Sequence, residues 1–314
     1  RYALSRKKSD HLDAKVLAHI LRTDHAQHRT LPADSHLAQA VTVLARAQQD
    51  AVSDRVQTGN RLRSHLREYF PAFLTVFKHF REGLASPVSR TLLATAPTPT
   101  QAAQLTRPQL RSILKRAGRQ REINGEVERL HALLREPQMR QPSLVEHAMG
   151  TKTLALLRQF DAACASADEL EAAAVDAFAS HQDSEIITSF PGLGKLTGAR
   201  VLAELGDDHT RFPTARALKA YAGSAPITRS SGRKTTVLAR HIKNQRLASA
   251  GYTWAFAALT ASPGARTHYD RRRATEERHV AAQRNLFNRL LGCLHHCLTH
   301  HIPYNERTAF PSTT

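Results

Sequence analysis

From Ser35 to Tyr69 the chain runs without a proline, and Leu37, Val41, Leu44, Ala51, Leu62, Leu66 and Tyr69 recur at mostly 3- and 4-residue steps. A run of that length and period folds as one long helix whose apolar stripe needs a second helix against it, in a two-helix or coiled-coil seam. Phe70-Pro71 ends it. Around it the pattern stays helical. Helices are predicted over 9–22, with Leu12, Val16, Leu17 and Ile20 as its stripe, then over 72–94, 107–117, 119–136 and 143–181. Thr106 and Gln109 give the third a capping box. A new unit begins near Ser184, with a glycine-bearing turn at 191–194 and helices from Lys195, over 214–222, over 237–260 and over 276–301. A basic loop spans 223–236, and 225–237 is the only strand-like run. The fold class expected is mainly α.

Charge divides the chain further. It carries 45 Lys and Arg against 27 Asp and Glu, a net charge of +18. Residues 1–30 hold 7 basic and 3 acidic groups, 31–185 hold 19 and 17, and 186–314 hold 19 and 7. Two basic ends flanking a near-neutral middle suggest that separated surfaces meet nucleic acid while the middle does mechanical work. No segment approaches the ~18 uninterrupted apolar residues of a membrane span. Three cysteines make no disulfide framework and, with no signal peptide, fit a reducing cytoplasm.

Between Asp208 and Asp270 lie 61 residues without an Asp or Glu, ten of them Arg or Lys. Such a tract attracts a phosphodiester backbone along its whole length. Within it Ser231-Gly232 offers a little-shielded hydroxyl, and Arg229, Arg233 and Lys234 are placed to stabilise a pentavalent phosphate. Ser230 is an equal candidate on chemistry, and a plain polar turn explains the same residues. Arg240, Lys243 and Arg246 extend the basic surface. Upstream, Pro191-Gly192-Leu193-Gly194-Lys195 resembles the hairpin of a helix-hairpin-helix, in which backbone N–H groups bind one phosphate and the lysine reaches the next. An ordinary helix-to-helix turn needs the same glycines.

Asp10 and Asp13, at i and i+3, share a helix face and could share a Mg²⁺. The alternative is first-turn complementarity to the helix dipole, Asp13 forming a capping box with Ser9. Cys293, His295, His296, Cys297, His300 and His301 suggest zinc, but one helix rarely supplies four tetrahedral ligands, and a histidine-rich, partly buried helix fits better.

Two segments resemble the DEDD transposases of the IS-one-ten group of insertion sequences, the bridge-RNA-guided recombinases. One is Lys8-Ser9-Asp10-His11-Leu12-Asp13-Ala14; the other runs from Phe190-Pro191-Gly192 through Glu204-Leu205-Gly206-Asp207, Tyr221-Ala222-Gly223 and Ser231-Gly232 to Tyr269 and Asn285–Leu291. The resemblance implies a C-terminal remnant of an RNase H-like (RuvC-like) domain over 1–34, a helical, coiled-coil dimerisation region over 35–183, a transposase domain with a helix-hairpin-helix over 184–303 and a tail over 304–314. It implies Asp10 and Asp13 as the last two acids of a Mg²⁺ site and Ser231 as the nucleophile. It also implies DNA and a guide RNA as partners, in a dimer or tetramer.

The sequence departs from that pattern at Ser224, where Leu is usual, and at Lys243-Asn244-Gln245, which lacks the usual Gly-Asn. The family's first Asp and its Glu match no position here, and the chain begins Arg1-Tyr2-Ala3. The expectation is therefore a truncated, inactive recombinase. The alternatives are a non-catalytic nucleic-acid-binding remnant and a Mg²⁺-dependent junction nuclease that uses water.

Overall fold

A computed structural model describes residues 9–27, 31–78, 80, 82–138, 140–232, 234–238 and 240–311. In chain order, α1 (Asp10–Asp24) precedes the long α2 (His36–Tyr69). Then come α3 (Pro71–Phe77), α4 (Pro87–Thr95), α5 (Pro99–Gln104), α6 (Arg107–Arg116), α7 (Ile123–Leu133) and a second long helix, α8 (Ser143–Ala179). The C-terminal unit holds α9 (Ser184–Thr188), α10 (Lys195–Leu205), α11 (Ala215–Tyr221), strands β1 (Ile227–Ser231) and β2 (Lys234–Leu238), α12 (Gln245–Ala261), α13 (Pro263–Ala274), α14 (His279–His300) and α15 (Glu306–Ala309). The described chain is mainly helical, as its periodicity requires.

The seam expected on α2 is covered by α8 of the same chain, running antiparallel. Arg55 lies beside Asp168, Gly59 meets the Phe160 ring, and His65 Nε2 reaches Met149 O at 3.0 Å. Small residues on the buried face of α2, among them Ala38, Ala45, Ala51 and Gly59, let the helices approach closely. Tyr69 closes the far end: its hydroxyl meets Thr153 and donates to Pro97 O at 2.5 Å, and burial pushes its pKa up to about 12.

Two hydrophobic cores are strung along this pair. Leu62, Leu66, Phe70 and Phe73 join Leu92, Leu110, Leu114, Leu130 and Phe160 in one. At the other end Val41 and Phe178 enter the core of the C-terminal unit with Leu202, Trp254, Phe287 and Leu290. The helix predicted over 72–94 is broken, because Gly83 adopts φ +56° and Ser86 caps a fresh helix with Pro87 in its first turn. The one predicted over 237–260 starts late. Residues 234–238, with β-branched Thr235, Thr236 and Val237, pair with β1 instead, and Asn244 caps α12 by accepting from Leu247 N. Residues 263–274, left unassigned by periodicity, form α13 behind a Ser262 cap. No described helix is long and apolar enough to cross a membrane.

Candidate nucleic-acid interface

The turn before α10 is held from behind. Gly192 sits at φ +80°, and a Cβ there would lie 2.5 Å from Ala258 N of α12. Trp254, fully buried on α12, donates from Nε1 to Pro191 O at 3.1 Å and meets Phe190 edge-on. Gly192 is thus required by close packing, whereas Gly194 caps α10 without a side-chain bond and, like Lys195, faces solvent. The free N–H groups of that helix start and the exposed lysine make a surface suited to a phosphate.

The predicted basic loop is an antiparallel β-hairpin. Ile227 pairs with Leu238, Arg229 with Thr236, Ser230 with Thr235 and Ser231 with Lys234. Two residues close it, beginning with Gly232 at φ +54°, as a tight hairpin turn demands. Arg233 lies outside the described residues. Alternation in β1 places Ser231 on the same face as Arg229 and Ser230 on the other. Both serines are exposed, and Ser231 is the last paired residue before the turn.

A buried polar network anchors the base of this hairpin, and it accounts for motif residues whose sequence carried no visible role. The Glu204 carboxylate, 1% exposed, receives a two-pronged bond from Arg46 of α2 at 2.8 Å and a bond from Asn244 Nδ2 at 2.6 Å. Asn244 also donates to the Tyr221 hydroxyl, and its backbone N–H to Tyr221 O. Arg211 lies over the Phe212 and Tyr221 rings and bonds the same hydroxyl at 3.1 Å. Gly223, at φ +72°, leaves the room that the Lys243 stem occupies. Arg240 donates to Ala225 O at 3.3 Å across the hairpin's root. The unusual Ser224 is accommodated by burial with its hydroxyl 3.0 Å from Asn288 Oδ1. Arg246 is engaged elsewhere, in an ion pair with Asp50 of α2 at 2.8 Å.

Next to this network Gly206-Asp207-Asp208 clasps the start of α2. Asp34 accepts from the N–H groups of Asp207 and Asp208, while Asp207 accepts from Ser35 N at 2.8 Å and Asp208 from Ala33 N at 3.0 Å. Burial works to raise the Asp207 pKa, but the bonds from Ser35 and the neighbouring His181 outweigh it and hold the carboxyl below its ordinary value.

Asp10 and Asp13 project from α1, which buries no residue. Ser9 caps that helix through Leu12 N at 3.3 Å; Asp13 lies one position too far along for the box expected of it. Among the described residues no hydrogen bond or ion pair occupies either carboxylate, and none joins them to the Ser231 hairpin. As two available oxygen donors on one face they fit one side of a Mg²⁺ site. Among the described residues no set of three His, Cys, Asp or Glu could hold a metal, which also removes the zinc reading: His295 bonds Phe212 O, and Cys297 sits 3.8 Å from Pro303 O.

Comparison with known proteins matches residues 1–71 to the DEDD transposase model named for IS110, and residues 184–270 to the transposase IS116/IS110/IS902 family. The mini-circle transposase-family protein of IS117 from Streptomyces coelicolor is 60% identical over 310 residues, 99% of this chain and 75% of that protein. The 43.6 kDa protein of insertion element IS110 from the same organism is 31% identical across 91% of this chain and 69% of its own length. The 44.8 kDa protein of IS116 from Streptomyces clavuligerus is 28% identical, again across 91% of this chain. With the aspartate pair in the first matched segment and the serine hairpin in the second, the chain belongs to the IS110/IS116 family of DEDD transposases.

Proposed function

We propose that this transposase cuts and rejoins DNA through Ser231. The observation that carries the reading is the placement of Ser231 at the exposed tip of a hairpin, on one face with Arg229, in a tract free of carboxylates. Attack of Oγ on phosphorus forms a seryl phosphodiester as the bond from phosphorus to one sugar oxygen breaks. The freed sugar hydroxyl takes up the proton that the serine gives up, and attack by a hydroxyl of a second strand reverses the step. Arg229, on the same face of the hairpin as Ser231, offsets the charge on phosphorus, and Lys234 is the backbone partner of Ser231 across the turn. Gly194 and Lys195 hold the backbone further along, and Arg240 and Lys243 flank the hairpin's root.

Asp10 and Asp13 would hold one side of a Mg²⁺, which, when bound, neutralises charge on a phosphate. The other two acids of the DEDD set match no position of these 314 residues, so by themselves they bind DNA without cutting it. A guide RNA that selects the DNA, and a dimer or tetramer that completes the site, belong to the same proposal.

The test joins to this chain the part of the IS117 relative that it does not cover, adds Mg²⁺ and insertion-element DNA, and looks for a protein–DNA adduct on a denaturing gel. Ser231→Ala lowers adduct formation by about 1000-fold or more, while Ser230→Ala retains it. An adduct that survives Ser231→Ala overturns the assignment, and cleavage without any adduct indicates a water-using nuclease.

A further inference from the structure

A cavity of about 520 Å³ lies between α11, α13, α14 and the segment leading into α15. Its volume falls within the ~300–1,000 Å³ typical of small-molecule sites. Lys219, Arg272, Arg289, His268 and His296 line it, and among the described residues that line it none is acidic. The cations are not all taken up by the fold. Arg289 is spent on Ala309 O, and Arg272 shares Glu277 with Asn285. The Lys219 ammonium lies over α14 where Gly292, having no Cβ, makes room for it, and among the described residues it has no acidic partner. Nε2 of His268 is buried without a hydrogen-bond partner. Cys293, Ile302 and Pro303 supply an apolar wall. The floor joins the hairpin's root directly, since Lys219 O accepts from the N–H groups of Ser224 and Ala225, and the Asn288 amide meets Ser224.

A cavity lined by cations and by no acidic residue, with an amide and an apolar wall, is suited to a phosphate that competes with Glu277 for Arg272 and carries a planar or sugar body. We propose that it is a nucleotide pocket, which takes one phosphodiester-linked nucleotide of a single strand with the phosphate against Lys219 and Arg272. The inference rests on the chain's acting on nucleic acid but not on Ser231 being the nucleophile.

Cys293 reports on it, because this thiol lines the cavity and is partly exposed, whereas Cys297, which also lines it, and Cys164 are buried. The experiment is alkylation of the intact chain, read residue by residue by mass spectrometry, with 5′-phosphorylated pTpT or pUpU present. Ligand at ten times its Kd slows Cys293 alkylation about tenfold, since only the free pocket reacts. Protection by pTpT alone assigns a DNA strand; protection by pUpU alone assigns RNA. Lys219→Gln combined with Arg272→Gln removes the protection, and Ser231→Ala leaves it unchanged, so this pocket and the serine mechanism can fail separately. Should the double variant melt early, Arg272→Gln alone, at a solvent-reaching position, weakens protection about fivefold. Absence of protection by either dinucleotide, equal protection by inorganic phosphate, or protection that persists in the variants overturns the proposal.

Discussion

Single residues separate what holds the interface from what meets the ligand. Gly192→Ala places a Cβ against the α12 backbone at a positive φ, and we expect a loss of about 3 kcal/mol, read as a lower midpoint in urea unfolding. Gly194, with open space around it, tolerates alanine with little change. Among the arginines the same distinction holds. Arg229→Gln reduces the salt dependence of DNA binding by about one unit of slope, as loss of one phosphate contact should. Arg246→Gln leaves that slope unchanged and lowers stability by about 0.5 kcal/mol, because its partner is the exposed Asp50. The glycines and arginines of this region were visible in the sequence; their division of labour was not. Whether Gly192 or Gly194 faces a neighbouring helix is decided by α12, and whether Arg229 or Arg246 meets a carboxylate by α2, in each case an element remote from them in the chain.

At the level of elements, the hairpin and the clasp on α2 carry the most consequence. Charge located the basic segment and 225–237 read as strand-like, but the helix expected over 237–260 overlapped the end of the second arm; pairing with β1 and the Asn244 cap override that pattern at its start. The same limit applies to the glutamate and tyrosine of the family motifs. Their spacing says nothing of a buried carboxylate shared by Arg46 and Asn244, one of which lies 158 residues away. For the clasp a pH dependence follows. The folded-state pKa of Asp207 lies below its ordinary 3.8, so its contribution is fully present above that value and is lost as pH falls through the depressed one. Amide exchange at Ser35 is expected to accelerate below about pH 4, and Asp207→Asn, costing about 1 kcal/mol at neutral pH, flattens that response. An Asp207→Asn protein with the parent's acid profile would show that another group sets it.

Taken whole, the molecule is two cores joined by α2 and α8. Phe178→Ala, at the C-terminal core, is expected to cost about 3–5 kcal/mol. Because both long helices pass through both cores, hydrogen exchange in the Leu62–Tyr69 end of α2 should rise as well; exchange confined to the C-terminal unit would mean that the cores unfold independently. The paired rods also restrict how such a chain can lengthen or shorten in evolution. One residue inserted into α2 turns everything beyond it by about 100°, swinging the Ala38 and Gly59 face away from α8. A change of span therefore has to come as a matched pair, close to whole turns in both rods at once. Seven residues added to each would move the two cores about 10 Å apart while keeping every contact along the seam in phase.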